Sequence, residues 1–303
     1  MTRPLGRRDF LRTTAAVTAA VVSGSALSAR DEKKPKLKKA VKYSMIRVKD
    51  ATHRERFELA KKCGFLGVEI DRPSPENLDE LVAASKASGI PIHGVIDSVH
   101  WDSKYQLGHP DPAVRTRGTE ALIAALKDAK TVGADTVLLV PGVVRTEEFE
   151  GKKVPVTYEQ CYERSQAEVR KALPVAEKMG VKIAIEVVWN NFITKPEQLV
   201  QYVDDFKSEY VGAYFDCSNM LKYGVPAAEW IRKLGKRMVK FDFKGFKKPD
   251  KWVEIGEGDE DWPEVLKALA EVGYNGWATA EVGGGGEERL KTISAQMDKV
   301  LGL

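Results

Sequence analysis

Short apolar runs alternate with amphipathic stretches along the chain from residue 40 to its end. The apolar runs are rich in Val, Ile and Phe, which is typical of buried β-strands. They lie at residues 40–46, 67–70, 90–98, 134–142, 182–188, 211–217, 237–245 and 276–282. A stretch with apolar residues at helical spacing follows each run, and several of these stretches stop at a glycine, as helix C-termini do. The pattern therefore predicts eight strand–helix pairs.

Strands that alternate with helices form parallel β-α-β units. Eight units in about 260 residues match the size of a (β/α)8 TIM barrel. A doubly wound open sheet is the alternative fold, but it usually has fewer strands, and no GxGxxG motif follows the first strand. The sequence thus predicts an α/β protein in which residues 40–303 form a TIM barrel.

Each of the last four predicted strands places a carboxylate near its C-terminal end, on the face that alternation assigns to the barrel lumen. These residues are Glu186, Asp216, Asp242 and Glu281. Barrel enzymes hold their active sites at this end of the strands. Four neighbouring carboxylates repel one another unless a divalent cation, or lysines such as Lys240 and Lys244, compensate their charge. All-oxygen ligation suits Mg²⁺ or Mn²⁺ better than Zn²⁺.

The first 29 residues predict an export signal. Arg7 and Arg8, followed by "DFL" and an Ala/Val-rich stretch too short to span a bilayer comfortably, resemble a twin-arginine signal. We expect residues 1–29 to be a cleaved signal peptide and residues 30–39 a basic linker. The protein is then exported to the periplasm and has no stable membrane insertion after cleavage. An uncleaved membrane anchor is the alternative.

Composition is that of a soluble globular protein, with 43% hydrophobic and 30% charged residues. Residues 1–29 contribute +3 of the formal net charge of +4, so the rest of the chain is nearly neutral. This balance does not provide the basic surface that nucleic-acid binding requires. The three cysteines have no metal-type spacing. A homo-oligomer is compatible with the sequence.

Several motifs, in order and spacing, resemble the sugar phosphate isomerase/epimerase family with its xylose isomerase-like TIM barrel. They are "GFLGVEID" (64–71), "GADTVLLVPG" (133–142), "VKIAIEVVWN" (181–190), "GAYFDCSNM" (212–220), "VKFDFKGF" (239–246) and "GEGDEDWPEVLKALAEVGYNGWATAEV" (256–282). The resemblance implies a divalent metal held by Glu, Asp, His and Glu on strands five to eight. Glu186, Asp216 and Glu281 match this set, whereas Asp242 stands where the histidine is expected and Asn219 where a substrate-contacting histidine is frequent.

The resemblance implies proton abstraction next to a carbonyl, with an enediolate intermediate and with Glu186 and Glu281 moving the proton. The expected enzyme is a sugar isomerase or epimerase that uses Mn²⁺ or Mg²⁺, with Zn²⁺ as a third option. Its expected substrate is an unphosphorylated sugar or derivative, because phosphorylated sugars are scarce outside the cytoplasm. Asp242 either ligates the metal, pairs with a lysine, or marks a protein that has lost its metal.

Two alternatives remain open at this point: a lyase acting on a keto-glycoside, and a non-catalytic periplasmic carbohydrate-binding barrel. A DNA repair nuclease on the same fold would need a multi-histidine metal site, and the late strands contain no histidine.

Six further residues are predicted to contact the sugar: His100, Trp101, Trp189, Asn219, Lys244 and Glu69. His100 and Trp101 lie in a long loop after the third strand, and Trp189 follows Glu186 by three residues. Tryptophans at the rim of a pocket commonly stack on sugars, but Trp189 could equally be packed. Glu69 could face the barrel mouth or belong to a buried pair.

Overall fold

The computed structural model describes residues 35–73 and 76–303. The predicted signal peptide (residues 1–29) and the first half of the predicted linker (residues 30–34) lie outside the described residues. Within the described ranges, no helix combines the length and the apolar character needed to cross a membrane.

Eight parallel strands form a closed barrel. They are β1 (Lys38–Lys42), β2 (Gly67–Arg72), β3 (Ile92–Asp97), β4 (Thr136–Leu139), β5 (Lys182–Glu186), β6 (Val211–Asp216), β7 (Met238–Phe243) and β8 (Trp277–Ala280). Each strand pairs with its neighbours in sequence, and β8 pairs with β1 to close the barrel. The predicted TIM barrel is therefore confirmed.

A helix follows each strand and packs on the outside of the barrel. In the described ranges these helices are α1 (His53–Lys62), α2 (Leu78–Ser88), α3 (Pro112–Val132), α4 (Tyr158–Met179), α5 (Pro196–Asp204), α6 (Ala227–Leu234), α7 (Trp262–Glu271) and α8 (Glu287–Leu301).

Local sequence explains where several helices begin and end. Thr52 and Thr157 form capping boxes with Glu55 and Gln160, which satisfy backbone groups at the starts of α1 and α4. The helices α2, α3, α4 and α8 each end at a glycine with a φ of 67° to 80°. Glycine adopts this left-handed conformation without a steric penalty, so it stops each helix, and after α2, α3 and α4 it turns the chain toward the next strand.

The core has two parts. A large apolar layer lies between the strands and the surrounding helices. A small apolar cluster occupies part of the barrel lumen and consists of Ile96, Leu138, Val140, Ala184, Val188 and Tyr214. Residues at alternate positions of one strand therefore point either into the lumen or toward the helices, because side chains of a β-strand alternate with a period of two.

The structure differs from the predicted element bounds in two respects. The strand β1 begins at Lys38, so the last two residues of the predicted linker (30–39) belong to the barrel. Two short antiparallel hairpins were not predicted: Thr146–Phe149 with Lys152–Pro155 after β4, and Phe246–Lys247 with Lys251–Trp252 after β7. Strands of two to four residues are too short to produce a recognisable alternation of apolar and polar positions.

One buried carboxyl at the end of β3 makes stability depend on pH. Asp97 is 2% exposed, its Oδ1 has no hydrogen-bond partner, and burial raises its pKa to about 7. In the unfolded chain the pKa returns to about 4, so the native state binds the additional proton between these values. The native state therefore loses stability as the pH rises through this window.

We expect Asp97→Asn to be nearly neutral at pH 4 and to stabilise the protein by about 2–4 kcal/mol at pH 8. Urea unfolding of both proteins from pH 4 to pH 8 measures the difference in free energy of unfolding. A difference that stays constant over this range would show that Asp97 keeps its charge in the folded protein.

Candidate active site

Four carboxylates meet at the C-terminal end of the barrel. Glu186 ends β5, Asp216 ends β6, Asp242 is the penultimate residue of β7, and Glu281 directly follows β8. One oxygen from each lies within 4.8 Å of the others. The first three side chains are buried, and Glu281 is 32% exposed. We call this set the acidic centre.

Strand register explains why the four groups converge. Asp216 pairs with Asp242 across β6 and β7, and Asp242 pairs with Thr279 across β7 and β8. Paired residues of parallel strands lie side by side, so residues near the strand ends meet around the lumen. The alternation that predicted these carboxylates from sequence therefore points them into the lumen, where one oxygen of each lies within 4.8 Å of the others.

Two lysines lie among the carboxylates. Lys42 Nζ is 3.1 Å from Asp242 Oδ2 and 3.2 Å from Glu281 Oε1. Lys244 Nζ is 3.2 Å from Glu281 Oε2 and 3.5 Å from Asp216 Oδ2. Lys244 was identified from the sequence, but Lys42 was not. The only sign of Lys42 in the sequence was a lysine in an otherwise apolar first strand. Closure of the barrel between β1 and β8 brings it to its carboxylate partners.

Burial and neighbouring charges shift the pKa values of Glu186 and Glu281 in opposite directions. Burial raises the pKa of Glu186 to about 8, and the neighbouring Glu281 contributes to this rise. Burial alone would also raise the pKa of Glu281, but Lys42 and Lys244 outweigh it and lower that pKa to about 2. Burial alone would lower the pKa of both lysines, but the carboxylates around them raise it. Both lysines are therefore charged at neutral pH.

The donor set fits a divalent cation. Within the described part of the chain, the buried oxygens Asp216 Oδ2, Asp242 Oδ2 and Glu281 Oε2 accept no hydrogen bond, and a lysine ammonium lies 3.1 to 3.5 Å from each. Opposite ligands of a bound Mg²⁺ or Ca²⁺ are roughly 4–5 Å apart, close to the 4.8 Å spread of the four oxygens. With all four carboxylates ionised, the two lysines leave two uncompensated negative charges, which one divalent cation would neutralise.

A loop after β6 holds Asp216 and Glu186 in place. The backbone N–H groups of Ser218 and Asn219 donate to Asp216 Oδ1, at 2.7 and 2.9 Å. The Asn219 side chain donates to Glu186 Oε1 at 3.3 Å and to the Val187 carbonyl at 3.1 Å. The residue that replaces a frequent family histidine therefore orients a carboxylate of the acidic centre.

Asp242, in the position of the expected histidine, has two kinds of neighbour. Its Oδ2 faces Lys42, and its Oδ1 accepts a hydrogen bond from Tyr214 Oη at 2.8 Å. Burial raises the pKa of Asp242, and Lys42 opposes this effect. Asp242 therefore pairs with a lysine and is also a member of the acidic centre.

The structure does not support Glu69 as a substrate contact. Glu69 is fully buried in the lumen below the acidic centre, and Tyr214 Oη lies 3.1 and 3.2 Å from its two oxygens. Burial raises the pKa of Glu69. Tyr214 Oη, which donates to Asp242 at 2.8 Å, is thus within hydrogen-bond distance of Glu69 as well. Gly94 provides the space, because a Cβ there would lie 2.5 Å from Glu69 Oε1.

A chain of polar groups continues from Tyr214 to the opposite end of the barrel. Thr279 Oγ1 is 3.3 Å from Tyr214 Oη and 3.3 Å from His93 Nε2. Lys240 Nζ is 3.3 Å from His93 Nδ1 and 2.7 Å from the exposed Asp135. Burial, together with Lys240, lowers the pKa of His93, so its ring is neutral. Lys240 donates to Nδ1, which places the ring proton on Nε2, facing Thr279.

A cavity of about 480 Å³ opens beside the acidic centre. Glu186 and Glu281 line it, and so do five of the six predicted sugar-contact residues: His100, Trp101, Trp189, Asn219 and Lys244. A second cavity of about 250 Å³ shares Glu186, Glu281, His100 and Trp101 and extends toward β1. Trp252, on the unpredicted second hairpin, also lines the larger cavity and was missed from sequence.

His100 is fixed in one orientation at this cavity. The ring is buried, and its Nδ1 accepts a hydrogen bond from the Val140 backbone N–H at 3.3 Å. Its Nε2 has no hydrogen-bond partner among the described residues. Burial lowers the pKa of His100 to about 3, and Lys42 adds to this effect. The ring is therefore neutral, and its Nε2–H is left to donate to a bound molecule.

The chain is similar to proteins of one family. The family model described as "Xylose isomerase-like TIM barrel" matches residues 57–299. SgbU of Escherichia coli strain K12, a provisionally named L-ribulose-5-phosphate 3-epimerase, is 27% identical over 258 residues, which are 77% of this chain and 85% of SgbU. The L-ribulose-5-phosphate 3-epimerase UlaE of Salmonella heidelberg strain SL476 is 24% identical over 241 residues, 73% of this chain and 79% of UlaE.

Solved structures share the fold at lower identity. The 3-keto-D-glucoside 4-epimerase YcjR from E. coli superposes with a TM-score of 0.72 at 17% identity, covering 88% of this chain and 100% of YcjR. The IolI protein with a bound zinc atom superposes with a TM-score of 0.73 at 18% identity, covering 88% of this chain and 98% of IolI. The family model spans most of the barrel, including all four residues of the acidic centre. The chain therefore belongs to the xylose isomerase-like TIM barrel family.

Proposed function

We propose that this protein is a divalent-metal-dependent sugar isomerase or epimerase that moves a proton at a carbon next to a carbonyl. The observation that carries the proposal is the acidic centre, because two of its carboxylates, Glu186 and Glu281, also line the adjoining cavity. Relatives that are named as sugar epimerases support the same class of reaction.

Glu186, Asp216, Asp242 and Glu281 would hold the metal, with Mn²⁺ or Mg²⁺ preferred for this all-oxygen set. When bound, the cation supplies positive charge beside the substrate oxygens on which negative charge develops. Because three of the four carboxylates are buried, water contributes little screening to this interaction.

Glu186 and Glu281 are the proton-transfer residues in this proposal. They belong to β5 and β8, three strands apart in the ring, so they approach a bound sugar from different directions. One of the two, ionised, removes the proton from the carbon, and the other, protonated, donates its own proton from its side of the sugar, so the two groups exchange protonation states in each turnover. Return to the opposite face of the same carbon gives epimerisation, and return to the neighbouring carbon gives isomerisation. His100 Nε2–H and Lys244 lie where they can donate to sugar oxygens.

We further propose that the substrate is unphosphorylated and that the protein is exported. Arg145 and Lys244 are the cations that line the larger cavity within the described ranges. Arg145 pairs with Glu147 at 2.6 Å, and Lys244 pairs with the acidic centre. Neither is left to balance a phosphate dianion. The twin-arginine pattern of residues 1–29 supports export.

The test combines metal analysis with hydrogen exchange. Purified protein is depleted with EDTA, reloaded with Mn²⁺, Mg²⁺ or Zn²⁺, and analysed for bound metal. Each form is then incubated in D₂O with free ketoses, keto-glycosides and L-ribulose 5-phosphate, and NMR records deuterium next to the carbonyl. We expect near-stoichiometric metal and metal-dependent exchange into an unphosphorylated sugar.

Other outcomes of this test distinguish the alternatives. Release of the aglycone from a keto-glycoside would identify a lyase that uses the same base. Sugar binding without exchange, in a protein that takes up no metal, would identify a carbohydrate-binding barrel. Exchange confined to L-ribulose 5-phosphate would contradict the unphosphorylated substrate.

A further inference from the structure

Two exposed tryptophans face the same cavity. In the described part of the chain, the large hydrophobic side chains that are most exposed are Leu66, Trp101, Trp252 and Leu303. Trp101 is 60% exposed and Trp252 is 44% exposed, and both line the 480 Å³ cavity beside the acidic centre. Exposed aromatic rings that converge on one cavity are typical of a binding site rather than of an ordinary surface.

The two rings come from opposite sides of the barrel mouth. Trp101 follows β3, and Trp252 lies on the hairpin that follows β7. These strands are four positions apart in a closed ring of eight, which is the largest separation that the ring allows. The cavity therefore extends across the mouth and beyond the acidic centre, which occupies the side formed by β5 to β8.

One wall of this cavity is rigid. The rings of Trp189 and Trp252 stack with centroids 4.7 Å apart, and Phe246 contacts both rings edge-on. Lys222 and Lys244 lie 4.5 and 4.4 Å from the centroids of Trp189 and Trp252. Trp189 Nε1 also donates to the Asn219 carbonyl at 2.9 Å. These contacts hold the two indoles in place before any ligand binds.

On the opposite wall of the cavity, the ring of Trp101 is more exposed than that of Trp252. Within the described ranges, the ring contact recorded for Trp101 is with His100, at a centroid distance of 4.6 Å and an interplanar angle of 73°. An edge contact of this kind, on a residue that is 60% exposed, leaves at least one indole face open. A flat apolar ring face that remains exposed next to a binding cavity can stack on the C–H face of a sugar ring.

The rest of the lining fits a neutral, hydroxyl-bearing ring. Val140, Val144 and Val188 form an apolar surface, and the amides of Gln106 and Asn191 lie at the same cavity. Apart from Glu186 and Glu281, its described lining contains no carboxylate. A sugar ring matches this mixture, because its C–H face is apolar and its edge carries hydroxyl groups. A cationic ligand has no carboxylate to bind outside the acidic centre.

We infer that this cavity is a subsite for a second sugar ring, and that the substrate is therefore a glycoside rather than a free monosaccharide. This inference rests on the proposed function, since it places the reacting ring over the acidic centre and the second ring between Trp101 and the Trp189–Trp252 wall. A cavity of about 480 Å³ lies in the range that accommodates drug-sized ligands, and a single sugar ring is smaller than these.

The test compares keto-sugars with and without a glucosyl ring. D-fructose is paired with turanose, maltulose and isomaltulose, which carry a glucosyl group at different oxygens of fructose. Methyl 3-keto-α-D-glucoside is paired with 3-keto-trehalose. Calorimetry measures the affinity of Mn²⁺-loaded wild type, Trp101→Ala, Trp101→Phe and Leu66→Ala, and deuterium exchange is recorded on the same samples. Leu66 directly precedes β2 at the opposite end of the barrel and is 53% exposed, which makes it a matched control.

We expect wild type and Leu66→Ala to bind at least one glucosyl compound about tenfold more tightly than its parent sugar. Trp101→Ala should lower this ratio by about 3- to 10-fold, the range of one aromatic stacking contact, and Trp101→Phe should restore most of it. Equal affinities within every pair, an equal loss for both members in Trp101→Ala, or no binding of any compound would overturn the inference.

The two proposals fail separately in this experiment. A glucosyl preference that depends on Trp101, without deuterium exchange, would retain the subsite and reject the proposed reaction. Exchange into the parent sugars without a glucosyl preference would retain the reaction and reject the subsite.

Discussion

Glu186→Gln is expected to reduce metal-dependent proton exchange by about 10²- to 10⁴-fold, the usual contribution of a general base. Glu186 is buried at the cavity beside the acidic centre, and glutamine preserves its volume but cannot accept a proton from carbon. Deuterium incorporation from D₂O measures the rate, and metal analysis of the same sample separates proton transfer from metal binding. Glu281→Gln should cause a loss of similar size, because the proton must also be returned.

Glu168→Gln is the matched control for this result. Glu168 is a buried carboxylate between α3 and α4, where it accepts hydrogen bonds from Thr119 and Lys171 at 2.7 Å. It lies in the helix layer, so its replacement should leave exchange unchanged at temperatures where the protein is folded. Unchanged exchange in Glu186→Gln itself would contradict its assignment as a proton-transfer residue.

Lys42→Met is expected to destabilise the metal-free protein by about 3–5 kcal/mol, the usual cost of removing one partner from a buried ion pair. Asp242 and Glu281 would each lose a cation that lies 3.1 or 3.2 Å away. Mn²⁺ should stabilise this variant more than it stabilises wild type, because a divalent cation no longer competes with the lysine for the same oxygens. Thermal unfolding after EDTA treatment, with and without added Mn²⁺, measures both effects.

Lys39→Met provides the comparison. Lys39 also belongs to β1, but its ammonium pairs with Asp298 and Ser294 on the helix side of the strand. Its loss should cost less, and the stabilisation by Mn²⁺ should equal that of wild type. If Lys42→Met behaved in the same way as Lys39→Met, the carboxylates of the acidic centre would not depend on Lys42 for charge compensation.

Most of the fold could be predicted from the sequence because its signals are local. Short runs rich in Val, Ile and Phe identified each barrel strand, and glycine stops such as Gly133 and Gly180 marked helix ends. Alternation with a period of two then selected Glu186 and Asp216, since the end of a parallel strand and its inward face are both visible in one short segment. The number of strand–helix pairs then distinguished a barrel from an open sheet.

The remaining features depend on how distant strands meet. Lys42 is one lysine among several basic residues near the start of the domain, and barrel closure brings it to Glu281 and Asp242. The burial of the Glu69 side chain in the lumen depends on its contact with Tyr214 and on the space that Gly94 leaves. Trp252 belongs to a hairpin strand of two residues, which has too few positions to show a periodic pattern.

The polar interior of the barrel makes each half-barrel depend on the other. The first half, β1 to β4, contributes Lys42, Glu69 and His93, and the side-chain partners of these groups in the lumen come from β6, β7 and β8. A half-barrel alone would bury charged and polar groups without partners, at a cost of several kcal/mol. If the lumen were aliphatic, each half-barrel could become compact without the other half. Here the native lumen forms only when both halves are present, so closure of the ring and completion of the site are one cooperative event.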